Sequence, residues 1–281
     1  MFAPATTGET RNYFSRFLVL AWLSFLQLVR TPSHSRRAEA ARRAARHVLL
    51  LSAVIGVAII ALMYALDAWE IGQMPKRGTP SLWWMRILTD FGKDEYVLSA
   101  LAVLLVVVAV ISPALRGIQR SLLLGLGTRL QFLFLAVAVP ALIGELIKWS
   151  VGRGRPFVSG DANVFNFSHF AGTPAYSSFP SGHAICAFAL AFAVSSVWPK
   201  ARGVMIVYAL VIAATRLVLL AHHPSDVVAG ALVGVIGAML VRYWFAARRL
   251  GFAILRDGSI VPLAGPSSGR LKRVARGAFA P

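Results

Sequence analysis

The sequence is short of cysteine and of acidic residues. Its one cysteine, Cys186, has no internal disulfide partner and lies inside an apolar run, where it reads as a small buried hydrophobe. Asp and Glu number 11 against 29 Lys and Arg, for a formal charge of +18 over 281 residues. There is no internal repeat. The apolar stretch from Tyr13 to Val29 adjoins an arginine cluster and lacks a small-residue cleavage site, so no removable signal peptide is expected. No basic stretch is interleaved with aromatics in a polar module, which argues against a nucleic-acid partner. The arginines lie instead in two tails and in short segments between apolar runs.

Apolar residues make up 57% of the chain and mean hydropathy is +0.68, against about 45–50% apolar for soluble domains. An integral membrane protein is the first reading. A helix needs about 20 apolar residues to cross the bilayer core. Six stretches approach that length, at 48–67, 97–115, 128–147, 182–198, 203–221 and 226–246. The expected architecture is an all-α bundle of six transmembrane helices over 47–248. Arginines crowd the segments before the first run and after the last. Arg116 and Arg120, then Lys200 and Arg202, mark two of the connecting loops. With an even number of spans all these positive segments fall on one side, which the positive-inside rule makes cytoplasmic.

Residues 1–46 form the expected N-terminal cytoplasmic segment. Within it Phe14, Phe17, Leu18, Ala21, Trp22, Phe25, Leu26 and Val29 recur at helical spacing, with Arg16, Ser24 and Gln27 between them. This reads as an amphipathic helix lying in the interface; a seventh span would reverse the topology. Residues 249–281 are rich in Gly, Pro, Ser and Arg and read as a basic, mostly flexible tail.

Three clusters fall at span ends on the opposite face. The first, KWSVGRGRP, holds Lys148, Arg153, Arg155 and Pro156. Cations at a membrane boundary are commonly snorkelling anchors, a reading that stands for Arg153 taken alone. Three together on the face normally depleted of positive charge favour anion binding. The second, PSGH, runs from Pro180 to His183. Ser181 and Gly182 open a helix whose free N–H groups and dipole suit a phosphate, although an ordinary N-cap looks the same. The third, TRLVLLAHHPSD, holds Arg216, His222, His223 and Asp226. Pro224 suits the first position of a helix, and Asp226 one turn in can reach back to orient His222. His223 reads as an interfacial residue.

Together these residues supply a nucleophile with its orienter, a second histidine for proton transfer and several anion ligands. That is an inventory for phosphoryl transfer through a phosphohistidine. The arginines also oppose the rival use of His183, His222, His223 and Asp226 as metal ligands, so no cofactor is expected.

The pattern K-x6-R-P, P-S-G-H and S-R-x5-H-x3-D resembles the signature of the type 2 phosphatidic acid phosphatase superfamily. Here it runs over Lys148, Arg155 and Pro156, then Pro180 to His183, then Arg216, His222 and Asp226. Thr215 stands where that family usually has Ser, which keeps a hydroxyl. The resemblance implies an α-helical bundle in which His222 attacks phosphorus, oriented by Asp226. It makes His183 the proton donor to the leaving oxygen, and later the base for water. Lys148, Arg155, Ser181, Gly182 and Arg216 would hold the phosphate. The soluble relatives, secreted acid phosphatases and vanadium haloperoxidases, do not fit six lipid-length spans.

The implied protein is a bacterial inner-membrane lipid phosphatase with its site facing the periplasm. Its expected partners are the bilayer and a phosphorylated lipid: phosphatidylglycerol phosphate, phosphatidic acid, undecaprenyl pyrophosphate or lipid A 1-phosphate. A lipid phosphotransferase using the same phosphohistidine, and a non-catalytic transport or scaffold protein, are the alternatives. The aromatic loop 157–179 reads either as a lid beside the site or as an interfacial anchor.

Overall fold

The computed structural model describes residues 12–76, 78–156, 158 and 164–263. Nine α-helices and one short hairpin appear among them. They are α1 (Tyr13–Val29), α2 (Arg37–Ala65), α3 (Asp67–Gln73), α4 (Trp83–Asp90) and α5 (Asp94–Ile111), followed by α6 (Gly117–Val151), α7 (Gly182–Val197), α8 (Arg202–Val218) and α9 (Pro224–Ala247). Strands β1 (Phe252–Ile254) and β2 (Ile260–Pro262) pair antiparallel. Five helical segments are long and apolar enough to cross a membrane: 37–65, 80–111, 117–151, 199–218 and 224–247. The remaining expected span, α7, has 16 residues, which at 1.5 Å each is about 24 Å, short of a core about 30 Å thick.

The short helix is also the most enclosed one. Ala184, Cys186, Ala187, Ala189 and Ala193 are fully buried, and α6, α8 and α9 pack around α7. Small side chains make this possible. A Cβ added at Gly230 would meet Ser181 O at 2.5 Å, and one at Gly234 would meet Ile185 O at 2.4 Å. Two glycines four residues apart thus rest on α7 backbone positions four apart. The two helices run parallel in tight contact, as small-residue stripes allow in membranes. This register brings the starts of α7 and α9 level, and Ser181 N donates to Asp226 O at 3.0 Å. Around this centre α2, α5 and α8 turn large apolar side chains outward, among them Leu49, Val54, Val103, Val106, Val204 and Val207.

Both ends of α1 meet the same end of the bundle. Tyr13 Oη donates to Val110 O at the end of α5, and Leu28 O accepts from Trp244 Nε1 near the end of α9 at 3.1 Å.

The expected flexible tail begins with folded structure instead. Phe252 and Ile254 are buried, and the Phe252 ring packs edge-on to Phe132 with centroids 4.8 Å apart. The cause is local: short apolar runs, 252–255 and 260–263, flank Asp257-Gly258, a strong hairpin turn, and Gly258 adopts φ +77°. The rest of the expected tail, 264–281, lies outside the described residues.

Candidate active site

The three sequence clusters meet at one end of the bundle. Helix α6 carries Lys148 in its last turn, and Gly152 in left-handed conformation caps it. The chain then returns along itself: Ser178 N donates to Arg153 O, and Arg155 N donates to Ala175 O. The PSGH turn is thereby set against the first cluster. A Cβ at Gly182 would lie 2.8 Å from Lys148 Nζ, so glycine leaves room for the ammonium at the start of α7. Glu145 partners the same ammonium. Ser181 Oγ and His183 Nε2 are buried polar atoms without a hydrogen-bond partner among the described residues, at a helix start suited to an anion.

His222 sits in the turn between α8 and α9, almost wholly buried. Its Nδ1 lies 2.7 Å from Ser178 O and 3.9 Å from Asp226 Oδ2. The sequence reading has Asp226 orienting this ring; the nearer partner of Nδ1 is the Ser178 carbonyl, with Asp226 Oδ2 behind it. A carbonyl only accepts, so Nδ1 carries the proton and Nε2 keeps its lone pair. Burial holds the His222 pKa well below the usual histidine value, and Arg216 and Arg155 add to that. The ring is therefore neutral at neutral pH, with Nε2 as the free base.

Arg216 is buried and donates to Thr89 Oγ1 on α4 at 2.8 Å. Thr215 Oγ1 lies 3.0 Å from the same hydroxyl. Arg155, Lys148 and Arg216 all lie within electrostatic reach of the His183 ring. A cavity of about 400 Å³ opens among Arg155, His183 and Arg216.

Sequence reasoning missed what lies beneath. Arg153 is wholly buried, neither a snorkelling anchor nor a ligand in the cavity. Its Nη1 donates to Asp226 Oδ1 at 2.7 Å and to Ser225 Oγ at 2.6 Å. Its Nη2 donates to Asp67 Oδ2 at 2.8 Å, and both Nη2 and Nε reach Val164 O, at 2.8 and 3.1 Å. All five guanidinium N–H groups are thus used. Asp67 also accepts from Ser225 N at 3.0 Å, while Asp226 Oδ2 accepts from Ser178 Oγ at 2.6 Å and His223 N at 2.9 Å. Asp226 therefore holds the segments on both sides of His222. His223, expected at the interface, is buried beside this network. Asp67 carries no motif; only its position at the end of an apolar run could have marked it.

Of the 157–179 loop, Phe157 and residues 159–163 lie outside the described residues. The part described is pinned: Ser168 N donates to Gly152 O and Phe170 N to Trp149 O. The rings of Phe165, Phe167 and Phe170 remain exposed.

Removing one partner of a buried ion pair typically costs about 3–5 kcal/mol. Asp67→Ala should lower unfolding stability in detergent by that order. Arg43→Ala, which breaks the exposed pair with Asp257, should cost less than about 1 kcal/mol. Equal effects would remove Asp67 from its structural role. Glu70, one turn after Asp67, gives a pH signature. Both its carboxyl oxygens are buried without a partner; burial, then the Asp67 and Asp226 charges, raise its pKa from 4.5 to about 7. Between these values the unfolded chain releases a proton that the folded one retains, so this group's contribution to stability declines as pH rises through that window. Glu70→Gln should remove that part of the decline in melts taken from pH 5 to 8. A difference between parent and variant that does not vary with pH would contradict the assignment.

Residues 129–250 match the model of the PAP2 superfamily. The lipid A 1-phosphatase of Rhizobium johnstonii is 36% identical over 127 residues, which are 45% of this chain and 52% of that protein. The lipid A 1-phosphatase of Rhizobium etli is 35% identical over 127 residues, 45% of this chain and 55% of that one. The bacitracin transport permease protein BcrC of Bacillus licheniformis is 27% identical over 163 residues, 57% of this chain and 78% of that protein. The chain spans about half the length of the first two of these curated relatives. No solved structure matches it. The motif order, the convergence of the three clusters at one end of a helical bundle and the match over 129–250 agree in their likeness to the PAP2 superfamily.

Proposed function

We propose that this protein is a membrane lipid phosphatase that removes a terminal phosphate through a phosphohistidine on His222. The observation that carries the reading is the pairing of His222 with the Ser178 carbonyl, which leaves Nε2 unprotonated in a ring within electrostatic reach of Arg216 and Arg155. Nε2 attacks phosphorus and the P–O bond to the lipid breaks. His183 gives its proton to the departing oxygen, then takes one from a water molecule. That water attacks phosphorus, the P–N bond breaks, and phosphate leaves with His222 restored. Lys148, Arg155, Arg216, Ser181 and the Gly182 N–H meet the phosphoryl oxygens, supplying the charge stabilisation such a reaction needs without a metal. Asp226 acts as a positioning residue through Ser178 and His223.

In this reading α7 is a sixth crossing, short because its end lies within the bundle. The site faces the periplasm and the basic loops face the cytoplasm of a bacterial inner membrane, with both described ends of the chain on the cytoplasmic side. Helix α1 lies flat in the cytoplasmic interface; its contacts with the same ends of α5 and α9 support this over a seventh crossing. The relatives named lipid A 1-phosphatase favour a phosphorylated lipid as substrate. The transport-permease name of a third relative leaves a non-catalytic role as the rival. The presence of both histidines and all three phosphate-binding cations favours catalysis.

The test is phosphate release by detergent-purified protein in EDTA, from phosphatidylglycerol phosphate, phosphatidic acid, undecaprenyl pyrophosphate and lipid A. Parent protein should release phosphate from at least one, and His222→Ala should lose roughly three orders of magnitude or more in kcat. A newly phosphorylated lipid without free phosphate would mean phosphotransfer. Full activity in His222→Ala would refute the mechanism.

A further inference from the structure

One wall of the cavity comes from outside the residues that define the superfamily match. Helix α4 and the turn after it, residues 83–93, precede the matched region, which begins at 129. Arg86, Thr89, Asp90 and Lys93 from this segment face Arg155, His183 and Arg216 across the same space. The segment is held firmly. Thr89 accepts from Arg216 at 2.8 Å, and Tyr208 Oη donates to Phe91 O at 2.8 Å. A Cβ at Gly92 would meet the Ile212 side chain at 2.4 Å and the His183 ring at 3.5 Å. Lys93 acts electrostatically on the His183 ring.

This wall carries more positive charge than one phosphate requires. Lys148, Arg155, Arg216 and the start of α7 already meet the group that His222 attacks. Lys93 is paired with Asp90 at 2.8 Å, but Arg86 makes no hydrogen bond or ion pair among the described residues. The space is surplus as well: about 400 Å³ falls in the range of pockets that enclose a whole small ligand rather than one phosphate. The other side of α4 is apolar. Trp83, Ile87 and Phe91 are exposed, as suits a helix at headgroup depth with tryptophan in the interface. What enters beneath α4 is therefore a lipid headgroup.

We propose that Arg86, assisted by Lys93, forms a second anion subsite, and that the substrate is a lipid whose headgroup carries a second phosphate beside the one removed. The inference rests on the phosphatase reading and deepens it. Two sources share this chemistry: the adjoining phosphate of a pyrophosphate, and a separate phosphate elsewhere on the headgroup.

The experiment measures kcat/KM of the full chain in detergent on three lipids: a single phosphate monoester, a pyrophosphate and a lipid with two separated phosphates. Parent, Arg86→Gln and Arg86→Glu are compared, with thermal melts confirming that each folds. Loss of one charge-assisted hydrogen bond should lower the ratio of kcat/KM on a doubly phosphorylated lipid to that on the monoester by about tenfold. The change should lie mainly in KM, and Arg86→Glu should lower the ratio further. Whichever doubly phosphorylated lipid shows the drop identifies the source. An equal loss on all three lipids, or no loss on any, overturns the subsite while parent turnover leaves the phosphatase reading standing. A parent inactive on all three overturns that reading and the subsite with it.

Discussion

The buried guanidinium of Arg153 is the interaction on which the site depends. A charge at full burial is expensive unless every donor finds an acceptor. Here the acceptors come from three separate stretches of chain: Asp67 at the start of α3, Val164 in the long loop, and Ser225 with Asp226 at the start of α9. Satisfying one side chain fixes the positions of these three stretches relative to its own. Asp226 then passes the constraint to Ser178 and to the His223 N–H, the two neighbours of the His222 ring. The tautomer of His222 is set by a carbonyl, and the residue that carries that carbonyl is held by the ion network.

A second constraint works from the membrane side. Parallel packing of α7 on α9 through Gly230 and Gly234 fixes Ser181 at the level of Asp226. The Ser-Gly start of one helix thus comes up beside the histidine turn that begins the other. Around them stand Lys148, Arg155 and Arg216, while Asp67 and Asp226 are committed to Arg153. The division is between a lower layer of paired buried charge that sets geometry and an upper layer of cations beside the His183 ring.

The motif residues were legible because their chemistry is local. A Pro at the start of α9, a Ser-Gly start to α7 and cations after α6 each carry a spacing signal, and the structure brings them together. The six apolar runs correspond to helices at nearly the expected places, though α7 falls short of a crossing by length. What sequence did not reveal depends on partners distant in the chain. Asp67 and Arg153 are 86 positions apart, and nothing in KWSVGRGRP distinguishes the arginine that turns inward from the one that lines the cavity. Arg86 and Thr89 are not legible for the same reason, since they line the cavity only where α4 leans on α8. The hairpin after α9 is a different lesson: its Asp-Gly turn between two short apolar runs was local and readable, but overall composition masked it.

The most direct test of the account is to trap the covalent intermediate. Protein mixed rapidly with a hydrolysable phosphorylated lipid and quenched in base should carry an acid-labile phosphoryl group on the peptide containing His222, found by mass spectrometry. The adduct should be absent from His222→Ala and should accumulate when His183→Ala slows attack by water. Turnover without any adduct, or an adduct on His183 in place of His222, would contradict the assignment.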